Sequence, residues 1–318
     1  MYYKICDFHN DLPSILMNND DYDISVKNEK FHTDIPRLQK GGVAVQFFAV
    51  CPCSEIFLND PFNSSMKMID KIKYAVNKSP ETEFIGDAAT MNNILEKNKI
   101  ACILALEGGH ALEDSLEKLE VFYEAGVRYL TITWNNSNNW AISSMDERSR
   151  ETGLSQFGKE VIRKMNKLGM MIDVSHTGIK TINDIFEITD QPVIASHTGA
   201  RSLNNHPRNL TDSQIKNIAA SGGVIGVVFY PPFLHATGYA DIEAVINHID
   251  YIASLVGVEY TALGSDFDGI GYNTVKGLDD VSKFPLVTEA LSKRGFSSGE
   301  INKIVFQNTL NVFIKICG

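Results

Sequence analysis

Short apolar runs recur along the chain, and most of them close in polar residues. Eight read as strands: Ile5 to His9, Val43 to Val50, Ile100 to Leu106, Val127 to Thr133, Met170 to Val174, Pro192 to Ser196, Val224 to Tyr230 and Tyr260 to Gly264. Near-continuous apolar runs, rather than alternating ones, are what parallel strands buried on both faces require. Between them the period becomes helical. In Leu112 to Glu124, Leu112, Leu116, Leu119 and Phe122 or Tyr123 fall on one stripe, and Ala125-Gly126 ends it. Phe157 to Leu168 repeats the plan and closes at Gly169. Thr211-Asp212 caps a helix that stops at Gly222-Gly223. Ile242 to Val256, Ser282 to Lys293 and Ser298 to Ile316 are the later helices, whereas Asn59 to Thr90 is the least regular stretch and is expected to cap the helical ring or cover its mouth.

Strands alternating with helices imply either a closed eightfold barrel or a doubly wound open sheet. The open sheet calls for a glycine-rich phosphate loop after an early strand, but Gly41-Gly42 precedes its strand and neither GxGxxG nor GxxxxGK[ST] occurs. The expectation is one (β/α)₈ barrel over residues 1–318, with its chemistry at the C-terminal ends of the strands.

Composition narrows the function. With 29 Lys and Arg against 39 Asp and Glu, the formal charge is −10, which disfavours a nucleic-acid partner or an anionic membrane surface. The start MYYKICDFHNDLP has no secretory pattern and no apolar run is long enough to span a bilayer, so no membrane association is expected. The five cysteines, Cys6, Cys51, Cys53, Cys102 and Cys317, do not form a disulfide framework, which suits a cytoplasmic protein. Cys51-Pro52-Cys53 has no second thiol pair nearby and reads as a loop after a buried strand.

The polar residues at the strand ends carry the chemistry. In Asp7-Phe8-His9-Asn10-Asp11, His9 and Asp11 are two apart, so on an extended chain both point the same way, and an imidazole beside a carboxylate suits a zinc-type ion. Glu107 ends the third strand. His176 follows the fifth, in Asp173-Val174-Ser175-His176, and His197 ends the sixth, in Ser196-His197-Thr198. These ligands are too many for one tetrahedral ion. They suit two, one on His9 and Asp11 and the other on His176 and His197, with Glu107 bridging. Any one of these residues could simply cap a strand or helix, but five such coincidences are hard to sustain. His110 is read as support or a helix cap, Asp173 as a group that could orient a ligand histidine despite its opposing strand parity, and His248 as a helix-surface residue. His32 and His235 have no ligand-like neighbour.

The chain closely resembles the renal (membrane) dipeptidase family of metallopeptidases, within the amidohydrolase type of barrel. The resemblance runs through Asp7 to Pro13, Thr33-Asp34-Ile35-Pro36-Arg37-Leu38, Glu107-Gly108-Gly109-His110, Gly126 to Thr131, Asp173 to His176, Ser196-His197-Thr198, Asn205-His206-Pro207-Arg208-Asn209 and Gly264-Ser265-Asp266-Phe267-Asp268-Gly269. It implies a distorted (β/α)₈ barrel with two zinc ions per chain, His9 and Asp11 on the first, His176 and His197 on the second, and Glu107 between them. Asp266 matches the family's acid/base residue, and Arg208 the arginine that receives the dipeptide's C-terminal carboxylate; from the residues alone, Arg201 competes for that role. Members hydrolyse dipeptides, some with a D-residue in second place, some open β-lactam rings, and many are homodimers. One position departs: Trp134, beside Asn135, stands where the mammalian enzyme has a histidine that touches substrate. An indole has no basic nitrogen to repeat that contact. The rival readings are deacylation of N-acyl amino acids, including N-acyl-D-amino acids, on the same centre, and a metal-binding interaction protein without catalysis.

Overall fold

In a computed structural model, which describes residues 3–318, the apolar runs become parallel strands. They are β1 (Ile5–Asp7), β2 (Val43–Val50), β3 (Thr82–Phe84), β4 (Ile100–Glu107), β5 (Val127–Thr131), β6 (Met171–Asp173), β7 (Val193–Thr198), β8 (Ile225–Val227) and β9 (Thr261–Leu263). Neighbours run β2-β1-β9-β8-β7-β6-β5-β4, and β2 then pairs with β4, from Val45 opposite Ala101 to Val50 opposite Leu106. Eight strands therefore close a barrel, and β3 lies outside it. That ninth strand pairs Thr82 to Phe84 with Ile100 to Cys102, along the part of β4 that precedes its pairing with β5 at Leu104. β2 and β4 are buried along nearly their whole length, as runs covered on both faces must be.

The helices are α1 (Leu12–Asn18), α2 (Ile35–Lys40), α3 (Pro61–Asn77), α4 (Ala88–Glu96), α5 (Leu116–Glu124), α6 (Gln156–Leu168), α7 (Ile179–Phe186), α8 (Asp212–Ala220), α9 (Pro231–Leu234), α10 (Ile242–Val256), α11 (Phe284–Arg294), α12 (Ser298–Asn302) and α13 (Asn308–Cys317). Their starts follow local chemistry. Thr211 and Gln214 form a reciprocal capping box on α8, and Ser297 and Glu300 one on α12. Gly169 takes a left-handed turn (φ 70°) that ends α6 before β6.

The stretch expected to be irregular is the clearest correction. Residues 61–77 form a 17-residue helix whose Pro61, Ser65, Met68, Ile69, Ile72 and Val76 are buried. Those positions keep helical spacing, but the intervening Lys and Asp residues dilute the stripe. The terminal helix is also not uniform. A wider turn over Lys303–Gln307 joins α12 to α13, and Asn308 Nδ2 then reaches the carbonyls of Val258 (2.7 Å) and Thr261 (2.8 Å) beneath β9. Among the described residues, no helix is long and apolar enough to cross a membrane.

Candidate metal centre

The strand ends converge at one mouth of the barrel. The chain leaves β1 still extended, Phe8 N bonding Leu263 O and Asp11 N bonding Phe267 O, so that His9 and Asp11 reach the mouth beyond the last ladder pair. Glu107 arrives on β4 and His197 on β7. His176 and Asp266 follow β6 and β9, both with left-handed backbone (φ 65° each). That conformation is sparsely populated outside glycine, and it turns each side chain back over the barrel end. Thr133 Oγ1 and Ser144 N both bond the His176 carbonyl, at 3.0 and 2.7 Å, and hold it so.

One carboxylate oxygen is central. Glu107 Oε1 lies 3.0 Å from His176 Nε2, 3.3 Å from His197 Nε2 and 3.7 Å from His9 Nε2. His9 Nε2 is 3.4 Å from Asp11 Oδ2 and 4.0 Å from Asp266 Oδ1. Three overlapping sets each place their ligand atoms within 4.8 Å of one another: His9, Asp11 and Glu107; Glu107, His176 and His197; and His9, His197 and Asp266. The donor set fits divalent ions on an independent ground, because His9 Nε2 is buried with no hydrogen-bond partner, and His176 Nε2 and His197 Nε2 face each other at 2.9 Å. Two imidazole nitrogens aimed at one point beside a carboxylate are a ligand arrangement.

The outer ring nitrogens are each fixed. His9 Nδ1 meets Tyr129 OH at 2.7 Å, His176 Nδ1 meets Asn135 Oδ1 at 3.0 Å, and His197 Nδ1 meets Ser196 Oγ at 2.8 Å. Such partners hold the tautomer that leaves Nε2 free to bind a metal. Tyr129 OH then donates to Phe8 O (3.1 Å), and Ser196 Oγ to Asp173 Oδ2 (2.6 Å). Asp173 thus acts on His197 through Ser196, and its opposing parity is what puts it beneath the site rather than in it. Its other oxygen accepts from Ser175 N and Ser196 N. Asp7 does the same for the β9 loop, accepting from Ser265 N (2.8 Å) and Ser265 Oγ (2.7 Å). Burial raises the Asp7 carboxyl to about 6, against the Ser265 and Gln46 bonds.

Electrostatics separate the roles. Burial opposes ionisation of Glu107, but the His9, His176 and His197 rings gathered around it outweigh burial and hold the carboxyl well below its ordinary value. Burial pushes His176 well down and His197 to about 4, the neutral form a metal requires. Asp266 is driven the other way, well above the usual carboxylate range, by burial and by the Asp11 charge beside it. Gly269 permits this crowding: a Cβ there would overlap Asp11 Oδ2 and lie 2.6 Å from Asp266 Oδ1. Gly269→Ala is therefore expected to displace both carboxylates and to lower divalent-metal affinity at least ~10-fold. An alanine variant with the parent's metal affinity would show that the loop yields.

A cavity of about 370 Å³ opens onto these groups, and Asp11, Cys51, Phe57, Glu107, Trp134, Asn135, His176, Tyr230, Phe233, Asp266 and Ile270 are among its lining residues. Residues 2–317 match the family model described as membrane dipeptidase, peptidase family M19. The chain belongs to the membrane dipeptidase family. It is 35% identical to Dipeptidase 3 of Mus musculus and 34% identical to that of Rattus norvegicus, each over 99% of this chain. It spans only 64% and 65% of those two proteins' lengths. A solved metallopeptidase, dipeptidase AC, shares 24% identity at a TM-score of 0.93, with both chains covered in full. A Rhodobacter sphaeroides metallopeptidase solved with a phosphinate mimic of the dipeptide L-Ala-D-Ala shares 23% identity at 0.93, again over both whole chains. At these identities the two structures establish the barrel.

In this membrane dipeptidase family member the remaining expected residues find definite places. Arg208 is buried at the edge of the centre, its Nη2 donating to the His197 carbonyl (3.3 Å) and its Nε without a partner. Arg201 is instead spent on backbone, its Nε on Asn209 O and its Nη2 on Pro207 O. Trp134 lines the cavity and stacks on His176, with ring centroids 6.3 Å apart and planes 24° apart. Asn135 lines the cavity too, yet its carbonyl orients His176. His110 supports the β4 loop, with Nδ1 3.3 Å from Cys53 Sγ and Nε2 3.2 Å from Ser137 O, and Cys53 Sγ reaches Glu107 O at 3.2 Å. The Cys51-Pro52-Cys53 loop is therefore part of the wall of the site. His248 is not on a surface but 1% exposed within the core.

Proposed function

We propose that the chain is a metal-dependent dipeptidase that holds two zinc ions, one by His9 and Asp11 and one by His176 and His197, with Glu107 shared. The observation that carries this reading is the single Glu107 oxygen faced by three imidazole Nε2 atoms whose Nδ1 atoms are all occupied elsewhere. Ions bound there would supply Lewis-acid polarisation of the scissile carbonyl and a water acidified toward neutrality.

The chain's own residues do the rest. Arg208 presents its free Nε and fork to the C-terminal carboxylate of a dipeptide, a group that an internal peptide bond lacks. Burial lowers the Arg208 guanidinium to about 10, with Glu107 and Asp266 opposing the shift, so it stays charged at neutral pH. Asp266 takes the proton from the attacking water and delivers it to the departing amine nitrogen. Its raised affinity for a proton suits a group that must hold one between those two atoms. Trp134, Phe57, Tyr230 and Ile270 give the cavity apolar walls, and the carboxylates Asp266 and Asp268 line it as well. That composition favours apolar over acidic substrate side chains.

A panel of L,L- and L,D-dipeptides, their C-terminal amides and N-acetyl amino acids, assayed with zinc-loaded protein, tests the reading. Turnover of free dipeptides above all others is expected. Faster turnover of N-acetyl amino acids would replace it with deacylation, which shares the carboxylate site. Arg208→Met is expected to raise KM for dipeptides at least ~10-fold and to leave the amides unaffected. An unchanged KM for dipeptides would remove Arg208 from carboxylate recognition.

A further inference from the structure

We propose that His248, on α10, is the positioning residue that holds Arg208 in place for the substrate's carboxylate, by tying together the two segments that cradle it. The proposal rests on the dipeptidase reading of the site.

Arg208 belongs to the loop after β7, and its guanidinium lies 5.1 Å over the ring of Phe233 on α9, after β8. Neither segment continues the barrel's ladder; beyond the Nη2 bond to His197 O (3.3 Å), the placement of the guanidinium depends on what joins them. Asn209 Nδ2 bonds Phe233 O at 2.7 Å, and Asn204 Nδ2 bonds Pro232 O at 2.9 Å. The third tie comes from outside both segments. His248 Nδ1 accepts from Ala200 N at 2.9 Å, at the start of the Arg208 loop, and His248 Nε2 meets Leu234 O at 3.0 Å, at the end of α9.

The chemistry of the tie is specific. Ala200 N can only donate and Leu234 O can only accept, so the ring must be neutral, with its proton on Nε2. Lysine and arginine offer no acceptor, and a leucine offers neither function. Gly199 allows the close approach: a Cβ there would lie 3.0 Å from His248 Nδ1 and 2.6 Å from Asn209 Oδ1. His248 lies within the core, and both of its ring nitrogens are taken up by the Ala200 and Leu234 backbone, so it meets no candidate metal ligand. Its influence passes through the two segments to one side chain. A guanidinium whose supports loosen loses directional carboxylate binding before it loses anything at the reacting carbonyl.

The test is kinetic, on zinc-loaded full chain, with a dipeptide and its C-terminal amide as paired substrates. His248→Ala is expected to raise KM for the dipeptide about 10-fold, with kcat within about 3-fold and the amide's KM unchanged. His248→Asn, whose carbonyl can still accept from Ala200 N, is expected to recover part of that loss, and it serves should the alanine variant fail to fold. In the Arg208→Met background the same substitutions are expected to add nothing, because both changes then act on one contact. Equal KM increases for dipeptide and amide would overturn the proposal and make His248 a residue of general stability. So would the same increase on top of Arg208→Met. Should Arg208→Met leave the ratio of dipeptide to amide KM unaltered, the carboxylate reading itself fails, an outcome separate from a silent His248.

Discussion

Asp266→Asn is expected to lower kcat on the best dipeptide at least ~10²-fold while metal content stays at the parent's level. The amide keeps the size and one carbonyl oxygen of the carboxyl, so packing under Gly269 and beside Asp11 is preserved. It cannot accept the proton that the attacking water must lose. Position and environment both single out this carboxyl. Asp266 follows β9, 4.0 Å from His9 Nε2, and burial together with the Asp11 charge raises its proton affinity. Asp11 and Asp266 thus divide the work: Asp11 lies closer to the His9 imidazole, and Asp266, the less committed of the two, is left with the stronger pull on a proton. Steady-state kinetics with elemental analysis of the same sample check this. A metal-replete variant with near-normal kcat would sink the assignment. Loss of an ion instead would move Asp266 into the ligand set, beside His9 and His197, with which it forms one of the three candidate clusters.

The candidate site was legible because a parallel barrel brings the polar side chains at the ends of its apolar runs to one mouth. His9, Glu107, His176, His197 and Asp266 interrupt or end such runs, and a polar residue there stands out against Val, Ile and Leu. The residues that orient them stand out less. Asp7 and Asp173 lie two and three positions before a histidine, a spacing that hints at support. Tyr129 and Ser196 carry no signal, since a tyrosine or serine in a buried strand is ordinary until the fold shows what faces it. Helix periodicity was informative where its polar members were taken at face value less readily. His248 falls on the buried stripe with Val245, Ile249 and Ile252, so spacing already placed it inward even though its polarity suggested a surface. The same stripe logic covers Met68, Ile69, Ile72 and Val76 of α3. β3 could not be read this way at all: Thr82-Glu83-Phe84 lies outside the closed barrel, is only partly buried, and so has no apolar run to show.

Glu107→Gln is expected to reduce bound zinc below two per chain and, with it, dipeptide turnover. Charge at one atom decides the outcome. Oε1 lies 3.0 Å from His176 Nε2 and 3.7 Å from His9 Nε2, so the same oxygen faces both halves of the proposed centre. Two cations held close together need an anionic ligand between them, and an amide oxygen, being neutral, offsets little of their repulsion. Glutamine also presents an N–H₂ group of nearly the same shape, which can donate to the free Nε2 atoms and compete with any ion for them. The fold should tolerate the change, because Glu107 closes β4 after a run of buried apolar residues that is untouched. A readout that needs no turnover separates binding from catalysis. An ion at about 100 times its Kd stabilises the folded state by about 2.7 kcal/mol, which for a barrel of this size raises Tm by several degrees. The parent should show that zinc-dependent rise and Glu107→Gln a much smaller one, with Glu107→Ala lower still in metal content because no oxygen remains. Two zinc ions retained in both variants would remove Glu107 from the bridge, and the three imidazoles would then need another anion to explain where they point.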